Sequence, residues 1–239
     1  MSAHSNVLKF PHTPHLEWLG EGMPRNDKVL RTHEVRDFLR HPVVVEEKVD
    51  GANIGIAFDS SGSPIVWNRG TVLTAGAHPQ FEPLWSWLAE HRADLASALG
   101  DRLVLFGEWC LAVHSVRYDR LPDWFLAFDV YDIAADRFWS SARRDAVVRS
   151  LDLFSVPAIG AGNFGLSKLE WLLRATQSQY RRGPIEGLYL RSERDGWLAA
   201  RAKLIRPEFA HSIDRHWTAR HFIRNVLAAR AERRVVTSH

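Results

Sequence analysis

The chain has 239 residues, 46% of them hydrophobic and 25% charged, a balance that excludes wholesale disorder and collagen-like repeats. That length supports a sizeable core in one or two domains, and no apolar run approaches the roughly 18 residues of a membrane span. A single cysteine, Cys110, excludes an intrachain disulfide framework and argues against a cysteine zinc site. Residues 1–27 are rich in His, Pro and Gly and read as an irregular arm with no basic region feeding an apolar stretch, so no secretory leader is expected and the compartment expected is a reducing cytosol. His12 and His15 read as surface groups on that arm. Thr32 to Arg40 is expected to be a short helix capped by Thr32 and ended by Pro42. Val43-Val44-Val45 opens a strand, and Ala52 to Phe58 opens another after an Asp50-Gly51 turn. A turn at 60–64 leads to Ile65-Val66-Trp67. Apolar spacing at Leu84, Trp85, Leu88 and Leu95 predicts a helix over 81–99, stopped by Gly100. Strands are expected at 103–106 and 124–131, helices at 142–151 and 166–175, and two strands at 187–190 and 197–205 around a turn at 193–196. From Pro207 to Arg234 the pattern is basic and helical. Strands follow strands through short turns, so the class is α+β with a mostly antiparallel sheet.

The net charge of +3 is lopsided. Residues 201–239 hold nine basic and three acidic side chains, which leaves −3 for the rest. Such a tail suits an anionic partner such as a nucleic-acid backbone, or a solvated helix face. His216, Trp217, Arg220, Arg224 and Asn225 could meet nucleic acid or pack back on the sheet. Arg supplies 26 of the 31 basic residues, and the five lysines are Lys9, Lys28, Lys48, Lys168 and Lys203. A lysine in a special context therefore asks why Arg would not serve. Lys48 ends an apolar strand in Glu46-Glu47-Lys48-Val49-Asp50-Gly51-Ala52-Asn53. Desolvation there lowers an ammonium pKa and makes a nucleophile, which a guanidinium cannot become. Gly51 would let the backbone approach a phosphate. Cys110 is expected to be a buried thiol.

Lys48-Val49-Asp50-Gly51 resembles the nucleotide-binding motif of the covalent nucleotidyltransferases, the DNA ligases, RNA ligases and capping enzymes. Further similarities follow in order: Arg69 in Trp67-Asn68-Arg69-Gly70, Glu108 in Phe106-Gly107-Glu108-Trp109, Phe128 in Phe125-Leu126-Ala127-Phe128-Asp129-Val130, Glu186 in Glu186-Gly187-Leu188-Tyr189, and Arg201-Ala202-Lys203. Asn53, two residues after Gly51, and the stretch from Gly107 to Asp129 resemble the RNA ligase 2 family in particular. The resemblance implies a nucleotidyltransferase (adenylation) domain over 43–209, preceded by an N-terminal arm and short helix (1–42). A basic helical extension over 210–239 would follow in place of an OB domain. It implies Lys48 as the nucleophile that takes AMP from ATP. Glu47, Asp50, Asn53, Arg69, Glu108, Phe128, Arg201 and Lys203 would bind the nucleotide, and Glu186 would serve Mg²⁺ or Mn²⁺. The AMP would pass to a 5′-phosphate end that a 3′-hydroxyl then attacks. Partners implied are nucleic-acid ends or nicks, RNA ahead of DNA, with no membrane and with a repair protein as a possible source of grip. Arg201 stands where relatives often have Lys, and Asp50 is the usual DNA-ligase residue. A minimal DNA ligase, a GTP-using capping-type enzyme and a nucleic-acid-binding module that no longer ligates are the competing expectations.

Overall fold

Val43–Lys48 forms the first strand (β1), directly after helix α1 (Thr32–Leu39), in the computed structural model, which describes residues 7–22, 24, 28–210 and 222–229. The cap of α1 is Arg31 rather than Thr32, with the Arg31 amide donating to Glu34 at 2.7 Å. The chain then crosses to a second sheet through the turn at 49–51. There it lays down β2 (Ala52–Phe58), β3 (Pro64–Asn68) and β4 (Thr71–Val72), followed by helix α2 (Glu82–Leu99) and β5 (Leu103–Trp109). Next come β6 (Phe125–Asp132), β7 (Arg137–Phe138), helix α3 (Ser141–Ser150), β8 (Phe154–Ser155), β9 (Ala158–Gly162) and helix α4 (Leu166–Ala175). Strands β10 (Gly187–Arg194) and β11 (Trp197–Ile205) and a short helix α5 (Pro207–Ala210) complete the order. One sheet is β11-β10-β1-β9. The other runs β4-β3-β2-β5-β6-β7, with β8 paired to β6 in parallel and all other pairs antiparallel. No barrel occurs among the described residues, and no helix there is long and apolar enough to cross a membrane.

Three apolar clusters explain the layering. Val43, Val45, Leu188, Leu190 and Leu204 of the first sheet meet Phe38 of α1 and Leu169 and Leu173 of α4. Ile54, Ile56, Leu105 and Phe125 of the second sheet meet Leu84, Leu88 and Leu95 of α2. The alternate residues of that sheet, among them Val104, Phe106, Leu126 and Phe128, form a third cluster that includes Val49 and Cys110. Cys110 is the buried thiol expected.

A β-bulge interrupts the β5–β6 ladder: Phe106 pairs with Asp129 and Gly107 with Ala127, so Phe128 is the extra residue. Its carbonyl accepts instead from Arg144 Nη1 at 2.7 Å and Arg191 Nη1 at 3.1 Å. Opposite the bulge, a Cβ on Gly107 would lie 2.3 Å from Phe125 Cζ and 2.8 Å from the Leu126 carbonyl oxygen. Gly107→Ala is therefore expected to destabilise the protein by about 1–3 kcal/mol, read as a lowered urea midpoint at constant slope. An unchanged midpoint would contradict this packing.

Among the described residues the basic tail departs from the helix expected over 207–234. There Pro207–Ala210 is helical, while residues 222–229 are not and lie against residues 111–121 through bridges at Ala112–Arg224 and Leu121–Leu227. Apolar residues at 222, 223, 226 and 227 suit a helix locally. The available backbone partners of the 111–121 segment override that local preference. His216, Trp217 and Arg220 lie outside the described residues. Asn225 is buried, which removes it from nucleic-acid contact, while Arg224 is exposed.

Candidate active site

A cavity of about 560 Å³ lies between the two sheets, within the range of nucleotide-sized sites. It brings together Glu47, Lys48 and Lys203 from the first sheet and Asn53, Arg69, Glu108 and Phe128 from the second. Lys48 stands at the end of β1, where the chain changes sheets. Its Nζ donates to Glu186 Oε1 at 2.9 Å and Oε2 at 2.8 Å, and a quarter of its side chain stays exposed to the cavity. Glu186 is placed by the ladder, since the next residue, Gly187, is the cross-strand partner of Lys48.

The electrostatics correct one expectation. Burial alone would push the Lys48 ammonium down, but Glu186, Asp50 and Glu108 outweigh it and hold the pKa above the ordinary lysine value. Lys48 is thus a paired cation in this structure, not a free amine. Burial pushes Glu186 up to about 6 against the pull of Lys48, so it remains ionised at neutral pH. Burial pushes Glu108 up to about 8, with Lys48 opposing and Asp50 and Glu186 adding to the rise.

Asn53 and Glu108 are cross-strand neighbours on β2 and β5. Glu108 Oε2 is buried with no hydrogen-bond partner and is left for a bound group. Arg69 is left-handed (φ 49°) in the turn between β3 and β4. Lys203 lies opposite Tyr189 across β10–β11. Phe128, at the bulge, presents an aromatic wall beside Val156.

Two expected nucleotide-binding residues have other employment. Asp50 does not line the cavity: its Oδ2 accepts from the Ser115 and Val116 amides at 2.5 and 2.9 Å, and its own amide donates to the Tyr118 hydroxyl at 2.8 Å. The adjacent Gly51 is needed for packing rather than for phosphate approach, because a Cβ there would lie 2.8 Å from the Trp109 carbonyl oxygen. Arg201 also lies outside this cavity. Its Nη1 pairs with buried Asp129 Oδ2 at 3.1 Å, and its guanidinium stacks on Phe138 and Phe10 at 4.0 and 4.6 Å.

The sequence reading missed the N-terminal arm, which lines the cavity with Lys9, Phe10, Pro11, His12 and Thr13. Phe10 packs edge-on to Phe106 and Phe128, each at 5.1 Å between centroids. The Lys203 amide donates to the Pro14 carbonyl at 2.9 Å, and Leu16 returns a bond to the Lys203 carbonyl at 2.8 Å. His15 is buried beside Trp18, not on the surface. The scarcity of lysine was the one available signal for Lys9.

Glu47 faces Ser178 and Gln179, and Gln179 donates its amide to Oε2 at 3.2 Å while Oε1 has no hydrogen-bond partner. Burial pushes its pKa up to about 7. The unfolded chain loses this proton near 4.5, and the fold holds it to about 7. The stability contributed by the protonated form is therefore complete below 4.5 and lost as pH rises through 7. Glu47→Gln should flatten that fall and gain up to about 3 kcal/mol over the parent above pH 7. Parallel pH profiles of the melting temperature would refute the assignment.

A family model described as RNA ligase matches residues 41–205. The chain belongs to the RNA ligase family. The matched span runs from the residues just before β1 through β11 and contains every expected site residue. Among solved structures, this RNA ligase family member is similar to an archaeal ATP-dependent RNA ligase (20% identity, 86% of this chain and 50% of that one, TM-score 0.58). It is also similar to two variants of the Naegleria gruberi RNA ligase in structures with ATP and Mn. One has 19% identity over 73% of this chain and 52% of that one, with a TM-score of 0.54. The other has 16% identity over 84% and 56%, with a TM-score of 0.60. At these identities the likeness is one of fold, and the chain spans about half the length of those ligases. No curated protein matches the sequence.

Proposed function

We propose that this RNA ligase family member is an ATP-dependent RNA ligase that joins 5′-phosphate and 3′-hydroxyl ends through a lysyl-AMP intermediate. The observation that carries the reading is Lys48 Nζ, held at 2.8–2.9 Å by both oxygens of Glu186 in a cavity with cations at Arg69 and Lys203. Before attack, Nζ must give up a proton, and the Glu186 oxygens are acceptors in reach. The freed amine forms a P–N bond to the ATP α-phosphorus as the bond to pyrophosphate breaks. AMP then passes to the 5′-phosphate end, freeing Lys48, and the 3′-hydroxyl displaces AMP as the ends join. Phosphoryl chemistry depends mainly on positioning and charge neutralisation, which suits Lys203 and Arg69 at the phosphates. Glu108 and Asn53 are placed to accept from and donate to ribose hydroxyls. Phe128 and Val156 offer an apolar wall for the base.

The acidic groups fit a divalent metal. Glu186 is a hard oxygen donor that suits Mg²⁺ or Mn²⁺, while the orphaned Glu108 oxygen is left to the ribose. No group of three potential ligands occurs among the described residues, which matches a metal held by one or two carboxylates together with waters and substrate phosphates. Such a metal would neutralise charge on the phosphates.

The Asp50 carboxylate is taken up by the Ser115 and Val116 amides and does not line the cavity, which supports a role in holding the lysine turn. The family match supports RNA. The test is incubation with Mg²⁺ or Mn²⁺ and α-labelled ATP, GTP or NAD⁺, followed by denaturing electrophoresis. An acid-labile adduct from ATP alone, chased onto 5′-phosphorylated RNA in preference to DNA, is the expected result. A folded protein, free of pre-bound AMP, that forms no adduct would overturn the reading.

A further inference from the structure

Residues 222–229 lie outside the span matched to the family, yet they pair with the 111–121 segment, which in turn contacts the turn that follows Lys48. Asn225 is 4% exposed, whereas Ile223 beside it is 64% exposed. Its Nδ2 donates to the Cys110 carbonyl at 2.8 Å and the Ala112 carbonyl at 3.2 Å, and its Oδ1 accepts from the Tyr118 amide at 2.7 Å. One side chain thus closes both ends of the 110–118 loop. Backbone bonds run alongside: Asn225 to Leu111, Val226 to Tyr118, Ala228 to Leu121 and Leu121 to Val226, all within 2.8–3.0 Å. The clamped loop in turn grips Asp50, through the Ser115 and Val116 amides on its carboxylate and the Tyr118 hydroxyl on its amide. Asp50 is two residues from Lys48. A chain of buried and partly buried hydrogen bonds therefore runs from Asn225 to the lysine turn.

We infer that the 222–229 segment is part of the ligase site, with Asn225 the positioning residue that holds the Lys48 turn in its reactive geometry through Tyr118 and Asp50. The inference rests on the proposed nucleotidyl transfer to Lys48. Nothing in this chain of contacts touches the nucleotide cavity, so ATP binding is untouched while the aim of Nζ depends on it. Misplacement of a reacting group by about 1 Å lowers a rate by about 10²-fold.

The test uses the full chain carrying Asn225→Ala or Tyr118→Phe, the second of which keeps the ring and removes only the hydroxyl that meets Asp50. Single-turnover adduct formation is measured across ATP concentrations below the melting temperature of each variant. The maximal rate is expected to fall about 10–10²-fold with the half-saturating ATP concentration unchanged. Hydrogen exchange at the Asp50, Ser115 and Val116 amides is expected to quicken in Asn225→Ala without any ATP present. Parental rates in both folded variants, or a loss confined to half-saturation, would overturn the inference. If Asn225→Ala does not fold, Tyr118→Phe decides alone. If the parent protein forms no adduct, the ligase reading fails, and exchange at the three amides still decides whether Asn225 holds the turn.

Discussion

Lys48→Ala is expected to abolish the labelled adduct, a loss of about 10⁴-fold or more, and Lys48→Arg is expected to do no better. The Arg variant is the sharper of the two. A guanidinium could keep the ion pair that Nζ makes with Glu186, so the charge and much of the local structure survive. It stays protonated at any accessible pH and has no lone pair to offer phosphorus. If Lys48 served only to neutralise phosphate, Arg would rescue. If it is the nucleophile, Arg is inert. The Lys48 ammonium is held above its ordinary pKa by Glu186, Asp50 and Glu108, so on the proposed mechanism the nucleophile rests masked as a paired cation. Adduct retained in either variant, read by denaturing electrophoresis of protein with an unchanged circular dichroism spectrum, would remove Lys48 from the chemistry.

Arg144→Met is expected to give the largest loss of stability. Arg144 and Glu46 are both 1% exposed and meet at 2.6 Å. The same guanidinium donates to the Phe128 carbonyl at 2.7 Å and to Asp145 at 2.8 Å. Removing it leaves Glu46, whose Oε2 already lacks a hydrogen-bond partner, with only Arg191 at 3.9 Å. A buried carboxylate stripped of its partner destabilises by about 3–5 kcal/mol. At this chain length that lowers the melting temperature by roughly 6–20 °C. Adding Glu46→Gln to the same chain should recover part of the loss, because the unpaired charge goes with it. The exposed pair of Arg40 and Asp37, at 2.7 Å, offers the contrast: Arg40→Met should change stability by less than about 1 kcal/mol. A drop under 2 °C for Arg144→Met would sink the account of the buried network.

The residues that carry local information were readable in advance. The valine run, the Asp50-Gly51 turn and the apolar spacing of α2 each announce an element through their own periodicity. Lys48, Glu108, Glu186 and Lys203 stood out because residue type and order agreed. Strand β9 was missed, since its Ala-Ile-Gly-Ala-Gly sequence has weak strand preference and is extended because β1 offers it a partner. The Phe128 bulge was equally silent, because nothing in the Phe125–Asp132 pattern says where a ladder will skip. Asp50 and Arg201 show the deeper limit. Sequence supplies a carboxylate or a guanidinium at the right spacing, and only the fold decides whether its partner is a phosphate, a backbone amide or Asp129. Residues 222–229 illustrate tertiary override, a locally helical pattern that pairs with the 111–121 backbone instead.

The position of β1 in the first sheet has a consequence for how the chain is made. Its neighbours are β9 and β10, so the Val43-Val44-Val45 strand has no sheet partner until residue 158 has been synthesised. At about 5–20 residues per second, that is a wait of roughly 6–23 s on the ribosome. Throughout it, a three-valine edge bearing the lysine of the site is open to pairing with another nascent chain. Slower induction in the cold or added chaperone should therefore raise the soluble yield of this protein, and an Arg or Lys in place of exposed residues elsewhere should not.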